Sequence, residues 1–545
     1  MHELKKMPNA KVENDAATET SEAVAEPTKE RAAKDKSVSR LAKEGVFYNV
    51  IVRLGNTFTQ AVGGIVLLRL LEPADFGLLQ LGWLIIGFAT KFGEFGFNMG
   101  LIQRNKEVRA EHVNTLFVLD LSFKVTLWLI TLALTPWLAD FFHEPKLAVF
   151  LPIFSFYMVL ECFSTSPITM LQRNMNFKAY SQVLAIDRTV QLAGALTFAA
   201  LGFGVWSLVI GEFLGLVWSA IRAIQLSGWR PRLQFDRETS KELFGYGNWV
   251  FLRNLFRYLS DNVDYLIIGR FLDAHQLGYY TKAFELMKTP RKRITRALSA
   301  VVFPAFAKVQ NQPKRIKRGF EKLVLSVSLV AYPIQVAMLM AAPAFVYVVM
   351  GEKWAPTITC LQIMCVAGIL RALDPFLNSV ITTSGFVRHT ALRRFIEFAI
   401  LAAAVFIGVR WGINGVSVAV TLTSIIVMVL MINLIRRVSL IGWREYFAPQ
   451  WPAIAGSVFM ALAMWGVNVS LGNYLGKHSL AMLIVSTAAG FAAYAGVLLV
   501  WRPKRVVDLY QELSGDAKGI VVKGRKRIAK WKQRLGWQKE TLPAA

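Results

Sequence analysis

The sequence predicts an all-α polytopic membrane protein with 14 transmembrane helices, and three observations support this prediction. The 545 residues are 54% hydrophobic, with a mean hydropathy of +0.41. Apolar runs of about 20 residues, the length that crosses a hydrocarbon core of about 30 Å, recur along most of the chain. The connections between the runs alternate between rich and poor in Lys and Arg. The predicted spans begin near Gly45, Phe76, Val113, Leu147, Ala179, Val205, Leu243, Gln276, Phe320, Pro356, Thr390, Asn414, Trp451 and Ser479.

Both ends of the chain lack the apolar runs of the middle. Residues 1–44 are rich in Ala, Glu and Lys and have few large apolar side chains, which predicts a disordered leader. They also lack the apolar core of a signal peptide. Residues 502–545 are basic with interleaved Trp and Leu, a pattern typical of segments that lie on anionic membrane lipids. A merely solvated charged tail is the alternative.

The alternation of charge predicts the topology. One set of connections is rich in basic residues, such as Arg104, Lys106 and Arg315, whereas short loops such as 72–75 and 273–276 have almost none. By the positive-inside rule the rich side is cytoplasmic, and an even number of spans places both termini there. The net charge of +26 is largely explained by this topology. Because the charge is spread over many loops instead of forming one basic domain, no nucleic-acid partner is predicted.

An internal repeat divides the spans into two sets. The segment from Arg69 to Gly77 and the segment from Arg270 to Gly278 share Arg, Leu, an acid and Gly at a constant offset of 201 residues. A second similarity, 202–207 against 412–417, opens spans 6 and 12. Six spans followed by six more share one orientation, so the repeat predicts two six-helix bundles related by a pseudo-twofold axis along the membrane normal. The bundles cover 45–228 and 229–440 and enclose a cavity, with two extra C-terminal helices in 441–501.

Span 7 carries an unusual stripe of charge. Arg253, Arg257, Asp261 and Asp264 fall within an arc of roughly 80° at about 100° per residue. A charge facing lipid at the bilayer centre costs about 2.5 to 3.5 kcal/mol, so the stripe must face water or protein. We interpret it as part of a polar transport pathway. Ion pairs that only join helices are the alternative.

Span 8 adds a basic face next to this stripe. Lys288, Lys292 and Arg296 are spaced by four residues and stack on one side of a helix. The alternative is that span 8 ends early and the cluster is a cytoplasmic turn. The first half has a weaker version, with Arg53 in span 1 and Lys91 in span 2. These cations predict a cavity that binds an anion.

Short motifs beside these spans resemble a known family. The motifs are 76–78 (FGL), 101–104 (LIQR), 171–173 (LQR), 280–283 (YTKA) and 303–306 (FPAF). They are similar to those of the polysaccharide-transporter branch of the multidrug/oligosaccharidyl-lipid/polysaccharide (MOP) exporters, which includes flippases of the lipopolysaccharide and colanic-acid type. The resemblance implies a V-shaped fold in a bacterial inner membrane. It also implies movement of an undecaprenyl-diphosphate-linked oligosaccharide from the cytoplasmic to the periplasmic leaflet, alongside glycosyltransferases and a glycan polymerase.

Combining the resemblance with the charges gives a candidate site. The diphosphate is expected at a set of cations made up of Arg53, Arg253, Arg257, Lys292 and Arg296, with Lys91 and Lys288 nearby. Asp261 and Asp264 are expected to pair with the arginines in the empty state and to couple transport to H⁺ or Na⁺. The histidines lack the spacing of metal ligands and no P-loop occurs, so neither a metal nor a cofactor is predicted. A multidrug antiporter and a membrane glycan polymerase or ligase are the alternatives, although the short predicted periplasmic loops disfavour an enzyme.

The topology can be tested with single cysteines in a chain whose three native cysteines are replaced. Asp75→Cys and Asp273→Cys should react with a membrane-impermeant thiol reagent in intact cells whose outer membrane admits it, because both loops are predicted to be periplasmic. Lys106→Cys and Arg315→Cys should react only after the cells are broken. Labelling of the second pair in intact cells would invert the predicted orientation.

Overall fold

The structure, a computed structural model, describes residues 55–93, 110–237, 248–308, 312–383, 387–438, 441–476 and 478–511. Within these ranges the chain is helical and contains no strand. The helices are α1 (55–70), α2 (Pro73–Gly93), α3 (Ala110–Phe141), α4 (Leu147–Ser155), α5 (Tyr157–Arg173), α6 (Phe177–Ala200), α7 (Val205–Ser227), α8 (Asn248–Phe271), α9 (Ala274–Lys308), α10 (Pro313–Phe345), α11 (Thr357–Leu370), α12 (Asp374–Thr383), α13 (Val387–Gly408), α14 (Gly412–Val438), α15 (Trp443–Phe447), α16 (Trp451–Leu475) and α17 (Leu480–Trp501).

Local sequence explains where several helices begin and end. The side chain of Asn176 accepts a hydrogen bond from the Ala179 amide at 3.1 Å and so caps the start of α6. Ser479 does the same for α17 through the Met482 amide at 3.0 Å. Helix α7 ends at Gly228, whose φ of 68° lies in the left-handed region that glycine adopts at no steric cost. These residues satisfy backbone groups that would otherwise lack partners at the helix ends.

The helices fit a multi-pass membrane protein, as predicted. Ten helical stretches in the described ranges are long and apolar enough to cross a membrane. One of these, Arg393–Arg437, contains two helices, α13 and α14, separated by a 3₁₀ turn. Helices α8 and α9 are long enough to cross but carry many charges, and the described part of span 1 is short. The total of 14 spans therefore stays a prediction.

Helices α3 to α7 of the first half pack mainly on one another, and so do α8 to α14 of the second half, whereas α2 packs mainly on the second half. Helices α16 and α17 pack together and against α10. The two halves meet where α2 contacts α8 and α9. We call this contact the inter-half seam; it includes Gly77, Gly278 and Tyr258. Its apolar core joins residues such as Leu81 of α2 with Ile268 of α8 and Leu277 of α9.

Two glycines at equivalent positions of the repeat bring the backbones together at the seam. A Cβ atom on Gly77 would lie 1.8 Å from the Ala274 carbonyl oxygen, and one on Gly278 would lie 1.9 Å from the Pro73 carbonyl oxygen. Pro73 and Ala274 are themselves 201 residues apart, so each half makes the same contact with the other. Small residues allow such close approach between membrane helices. A reciprocal contact of this kind is what an internal twofold relation produces.

Polar contacts beside the seam repeat the same reciprocity. Arg69, at the end of α1, donates from Nε to the Val349 carbonyl oxygen at 3.0 Å in the second half. Its repeat equivalent Arg270, at the end of α8, contacts the His143 ring and lies over the Phe141 ring at 5.1 Å in the first half. Lys353 adds a bond to the Arg69 carbonyl oxygen at 3.1 Å. Each half therefore uses one arginine to hold a turn of the other.

The second sequence similarity, 202–207 against 412–417, corresponds to a structural equivalence that is shifted by two residues. Gly204 and Gly412 both have positive φ values, 54° and 66°. Gly204 immediately precedes α7, the helix of predicted span 6, and Gly412 begins α14, the helix of predicted span 12. Gly204 lies near the Asp75 carboxylate, and Gly412 lies near the Gln276 side chain, which is the repeat equivalent of Asp75. The structure thus pairs Gly412 with Gly204, whereas the sequence comparison paired it with Gly202.

The segment that joins the halves is attached to the first half. Trp229 is buried, and its Nε1 donates to the Asn114 side chain at 2.8 Å. Asn114 in turn donates to Gln234 at 2.7 Å, and the Asp236 amide donates to the Thr115 hydroxyl at 2.9 Å. Residues 228–237 therefore lie along the start of α3.

The seam predicts a sharp difference between two glycines. Gly77→Ala should lower stability markedly, because the new Cβ overlaps backbone that cannot move independently of α9. Gly64→Ala in α1 is the matched control, since nothing lies within 4 Å of its Cβ position. There we expect no loss and a gain of up to about 1 kcal/mol from helix propensity. Thermal unfolding of the purified proteins in detergent measures both, and equal midpoints for the two variants would refute the close contact.

Candidate functional site

The predicted stripe of span 7 lies on α8, and its members have different surroundings. Arg257 and Asp261 are exposed. Asp264 is only 3% exposed and its carboxyl group accepts hydrogen bonds from the Tyr280 hydroxyl at 2.7 Å and from the Tyr265 amide at 3.0 Å. Arg253 belongs to α8, but its side chain lies outside the described residues. The stripe is therefore open near Arg257 and closed against α9 at Asp264.

The basic face of span 8 lies on one uninterrupted helix. Helix α9 runs from Ala274 to Lys308, so Lys288, Lys292 and Arg296 are all helical and no turn occurs at these residues. Where span 8 ends in the membrane stays a prediction. Lys288 is half-buried, with Nζ 4.9 Å from the centre of the Phe284 ring, and Lys292 is exposed. Lys288 lies about 14 residues, or about 21 Å of helix, from the start of α9. The side chain of Arg296 lies outside the described residues.

Stripe and basic face influence each other electrostatically. Lys288 interacts with Asp261 and Asp264 of α8 as well as with Lys292 and Arg291 of its own helix. The two helices join at the turn between Phe271 and Ala274, and the Asp264–Tyr280 bond lies near that turn. That the charges of α8 and α9 form one binding site stays a prediction.

Five further charged residues extend this cluster, and the sequence analysis did not assign them to the site. Arg291 of α9 interacts with Arg371 and Asp374. On α13, Arg393 donates to Glu397 at 3.0 Å and to the Asn378 side chain of α12 at 3.0 Å. The sequence feature that could have identified these residues is charge inside the apolar runs of predicted spans 10 and 11. Arg371, Asp374, Arg393 and Glu397 lie there.

The helix that carries Arg371 is interrupted at this point. Helix α11 ends at Leu370, a 3₁₀ turn covers Arg371–Leu373, and α12 begins at Asp374. Pro375 has no amide hydrogen, so the carbonyl oxygen of Arg371, four residues earlier, lacks an α-helical donor and accepts from the Asp374 amide in the 3₁₀ turn instead. Arg291 Nη1 donates to that oxygen at 3.4 Å. A short 3₁₀ stretch inside a helix often marks a functional position.

The described cations and acids of the second half leave an excess of positive charge. The described residues of the stripe and the basic face, together with the five that extend them, comprise six cations and four acids, which leaves two positive charges unmatched. The cations are Arg257, Lys288, Arg291, Lys292, Arg371 and Arg393, and the acids are Asp261, Asp264, Asp374 and Glu397. We call these ten residues the charged cluster. Its net charge suits an anionic ligand.

The first half is closer to neutral where the structure describes it. Lys124 is 8% exposed and pairs with Asp120 at 3.1 Å and with Glu161 at 3.0 Å. Glu212 accepts a hydrogen bond from Gln191 of the neighbouring helix. Lys91 is half-buried on α2, and Arg53 lies outside the described residues. Buried charges that satisfy one another in this way join helices and do not offer a free anion site.

Two other observations concern the choice of site. Among the described residues, no group of three or more His, Cys, Asp and Glu side chains could hold a metal ion. A cavity of about 360 Å³ lies near the seam, lined by residues including Phe142, His143 and Arg270. This cavity is at the α8–α9 turn, well away from Lys288, so it is separate from the charged cluster.

Comparisons with known proteins agree on one family. A family model described as "Polysaccharide biosynthesis protein" matches residues 66–359, more than half of the chain. Lipopolysaccharide biosynthesis protein WzxC of Escherichia coli (strain K12) is 27% identical over 451 residues, which cover 81% of this chain and 89% of WzxC. Succinoglycan biosynthesis transport protein ExoT of Rhizobium meliloti (strain 1021) is 23% identical, covering 85% of this chain and 93% of ExoT.

A solved structure shares the fold. The lipid II flippase MurJ in an inward closed conformation aligns with a TM-score of 0.64 at 14% identity, covering 83% of this chain and 99% of that one. The resemblance to the polysaccharide-transporter branch that the sequence motifs indicated is thereby confirmed.

The Asp264–Tyr280 bond can be tested by removing one hydroxyl group. Tyr280→Phe leaves the buried carboxyl group of Asp264 without its partner on α9, and the free energy of unfolding should fall by about 1 to 3 kcal/mol. Asp261→Asn, on the exposed part of the same helix face, should leave the unfolding midpoint nearly unchanged. If Tyr280→Phe unfolds at the wild-type temperature, α8 and α9 are not held together by this bond.

Proposed function

The chain belongs to the polysaccharide biosynthesis protein family, and from this membership we propose that it is a flippase for a lipid-linked oligosaccharide. The cargo is an undecaprenyl-diphosphate-linked oligosaccharide used to build an exopolysaccharide or lipopolysaccharide. The protein moves it across the membrane by alternating access. The observation that carries this proposal is the positive excess of the charged cluster, because a diphosphate needs several cationic donors.

The chain is a transport protein and not an enzyme. Its relatives are named for lipopolysaccharide biosynthesis and succinoglycan transport. A glycan polymerase or ligase, one of the alternatives from sequence, is therefore not retained. A multidrug antiporter is disfavoured by the charged cluster, since a cationic drug requires acids in excess.

The proposed architecture follows the internal repeat. Residues 45–228 and 229–440 form two six-helix lobes of a V, with two further helices in 441–501 and 14 spans in all. The reciprocal contacts of Gly77 and Gly278 support this arrangement. The protein lies in the bacterial inner membrane, with both termini, the leader 1–44 and the basic tail 502–545 on the cytoplasmic side. The seam is then near the periplasmic face.

In the proposed cycle the diphosphate binds on the cytoplasmic side of the seam. Arg257, Lys288 and Lys292 bind it, together with Arg53, Arg253, Arg296 and Lys91. The lipid tail stays in the bilayer between helices. Asp261 pairs with arginines in the empty state, and protonation or Na⁺ binding at Asp261 or Asp264 couples the cycle to an ion gradient. Glycosyltransferases supply the cargo and a glycan polymerase consumes it.

Transport by purified protein in liposomes tests the proposal. The wild-type protein should move a lipid-linked diphosphate oligosaccharide between leaflets and leave it chemically unchanged. Arg257→Ala and Lys292→Ala should each weaken cargo binding roughly ten- to hundredfold, since each removes a charge-assisted contact worth about 1.5 to 3 kcal/mol.

Arg293→Ala is the matched control. Arg293 is exposed on the same helix, about 140° around the axis from Lys288, and it should transport like the wild type. Wild-type protein that fails to move the cargo would refute the flippase function. Normal transport by Arg257→Ala and Lys292→Ala would refute only the assignment of the phosphate contacts.

A further inference from the structure

Two arginines of the charged cluster are each held by the protein and still have an unused nitrogen. Arg371 donates from Nε to the Ser424 hydroxyl at 2.6 Å, but its Nη2 is buried without a hydrogen-bond partner. Arg393 is 5% exposed and donates from Nη1 and Nη2 to Glu397 and Asn378, but its Nε is buried without a partner. Both guanidinium planes are therefore fixed in orientation by neighbours on other helix turns, with one donor left over on each.

Leaving such donors unpaired is costly. A buried donor without a partner costs about 1 to 3 kcal/mol, and more when it is charged. The neighbouring acids do not satisfy these two nitrogens. Glu397 accepts from Nη1 of Arg393, and Asp374, which interacts with both arginines, accepts no hydrogen bond from either unpaired nitrogen. Two oriented donors, one on each arginine, are thus left over beside Asp374.

We propose that Arg371 and Arg393 form a second oxyanion subsite that binds one anionic group of the cargo. This proposal rests on the proposed function and extends it from α8 and α9 to spans 10 and 11. The ligand is an oxyanion, carried either by the diphosphate or by an acidic sugar of the oligosaccharide. Guanidinium groups suit both, because their planar forks match the oxygens of phosphate and carboxylate.

The interruption of span 10 gives the subsite its shape. The 3₁₀ turn at Arg371–Leu373 places Arg371 where α11 ends, and Arg291 donates to its carbonyl oxygen. Arg291 is also one of the cations of α9 and interacts with Lys288, so it links the two positions. The cluster on α9 and the second subsite are then successive binding positions for one cargo molecule.

Binding of simple anions to the full-length protein in detergent tests the subsite. Inorganic pyrophosphate and sodium glucuronate are titrated separately, and the rise of the unfolding midpoint gives an apparent affinity for each. Since Asp374 interacts with Arg371 and Glu397 is bonded to Arg393, each arginine is removed together with its acid, in the charge-balanced pairs Arg371→Gln with Asp374→Asn, and Arg393→Gln with Glu397→Gln. Each pair should weaken the preferred anion by roughly tenfold or more. Arg393→Lys, which keeps the charge but loses the fork, should fall between them and the wild type.

Arg394→Gln is the control, because Arg394 also bonds to Glu397, at 3.3 Å, but is exposed. It should bind both anions like the wild type. Preference for pyrophosphate assigns the subsite to the diphosphate, and preference for glucuronate assigns it to an acidic sugar. Wild-type affinity in both charge-balanced pairs, or no stabilisation of the wild type by either anion, would overturn the proposal. Failure of the flippase function itself is separate, because it appears as wild-type protein that moves no cargo in liposomes.

Discussion

Charge inside a membrane must be partnered, and this constraint shapes the second half of the protein. Ten charged side chains form the charged cluster, and an isolated charge at the bilayer centre is costly even on the most lenient scales. The structure meets the cost in two ways. Asp264 and Glu397 are bonded within the protein, to Tyr280 and to Arg393. Arg257 and Lys292 remain exposed on the sides of α8 and α9. The second group can exchange water for a ligand without breaking a bond inside the protein.

The two halves share a backbone plan but differ in charge. The seam places Gly77 and Gly278 in equivalent contacts, and Arg69 and Arg270 each reach across to the other half. Yet the buried Lys124 of the first half is paired with Asp120 and Glu161, whereas the charged cluster of the second half keeps a positive excess. A repeated scaffold therefore supports an asymmetric site. The packing contacts between the halves are symmetric, whereas the distribution of charge within the halves is not.

Sequence reasoning found the features that depend on periodicity within one helix. The spacing of Lys288, Lys292 and Arg296 predicted a single basic face, and α9 runs through all three. The repeat offset of 201 predicted equivalent positions at Gly77 and Gly278, and the seam unites them. Periodicity identifies a face of a helix but not its neighbour. It placed Asp264 in the open stripe, although the structure turns that position against Tyr280.

Residues that meet only through tertiary packing could not be identified from the sequence. Arg371 lies in the 3₁₀ turn after α11 and Arg393 lies on α13, so spacing along one helix does not bring them together. What joins them is the contact of α12 with α13 through Asn378. The interruption at Arg371–Leu373 was equally hidden, because Pro375 alone does not reveal which side chain also bonds to the Arg371 carbonyl oxygen. A partner on another span, here Arg291, becomes visible only in three dimensions.

The position of the seam limits the motion that alternating access requires. Contacts between the halves run along α2 from Gly77 to Leu84, whose carbonyl oxygen accepts a hydrogen bond from Tyr258 at 2.8 Å. The peripheral contact of Lys353 with Glu72 is largely exposed, and such pairs contribute only about 0 to 1 kcal/mol each. The glycine contacts are backbone approaches without interlocked side chains at that point. Among the described residues, separating the seam therefore breaks no buried ion pair, but it opens the apolar core that Leu81 shares with Ile268 and Leu277. The partnered acids of the charged cluster stay within their own half. In the proposed cycle each half moves as a unit, and the cargo charge favours one arrangement over the other.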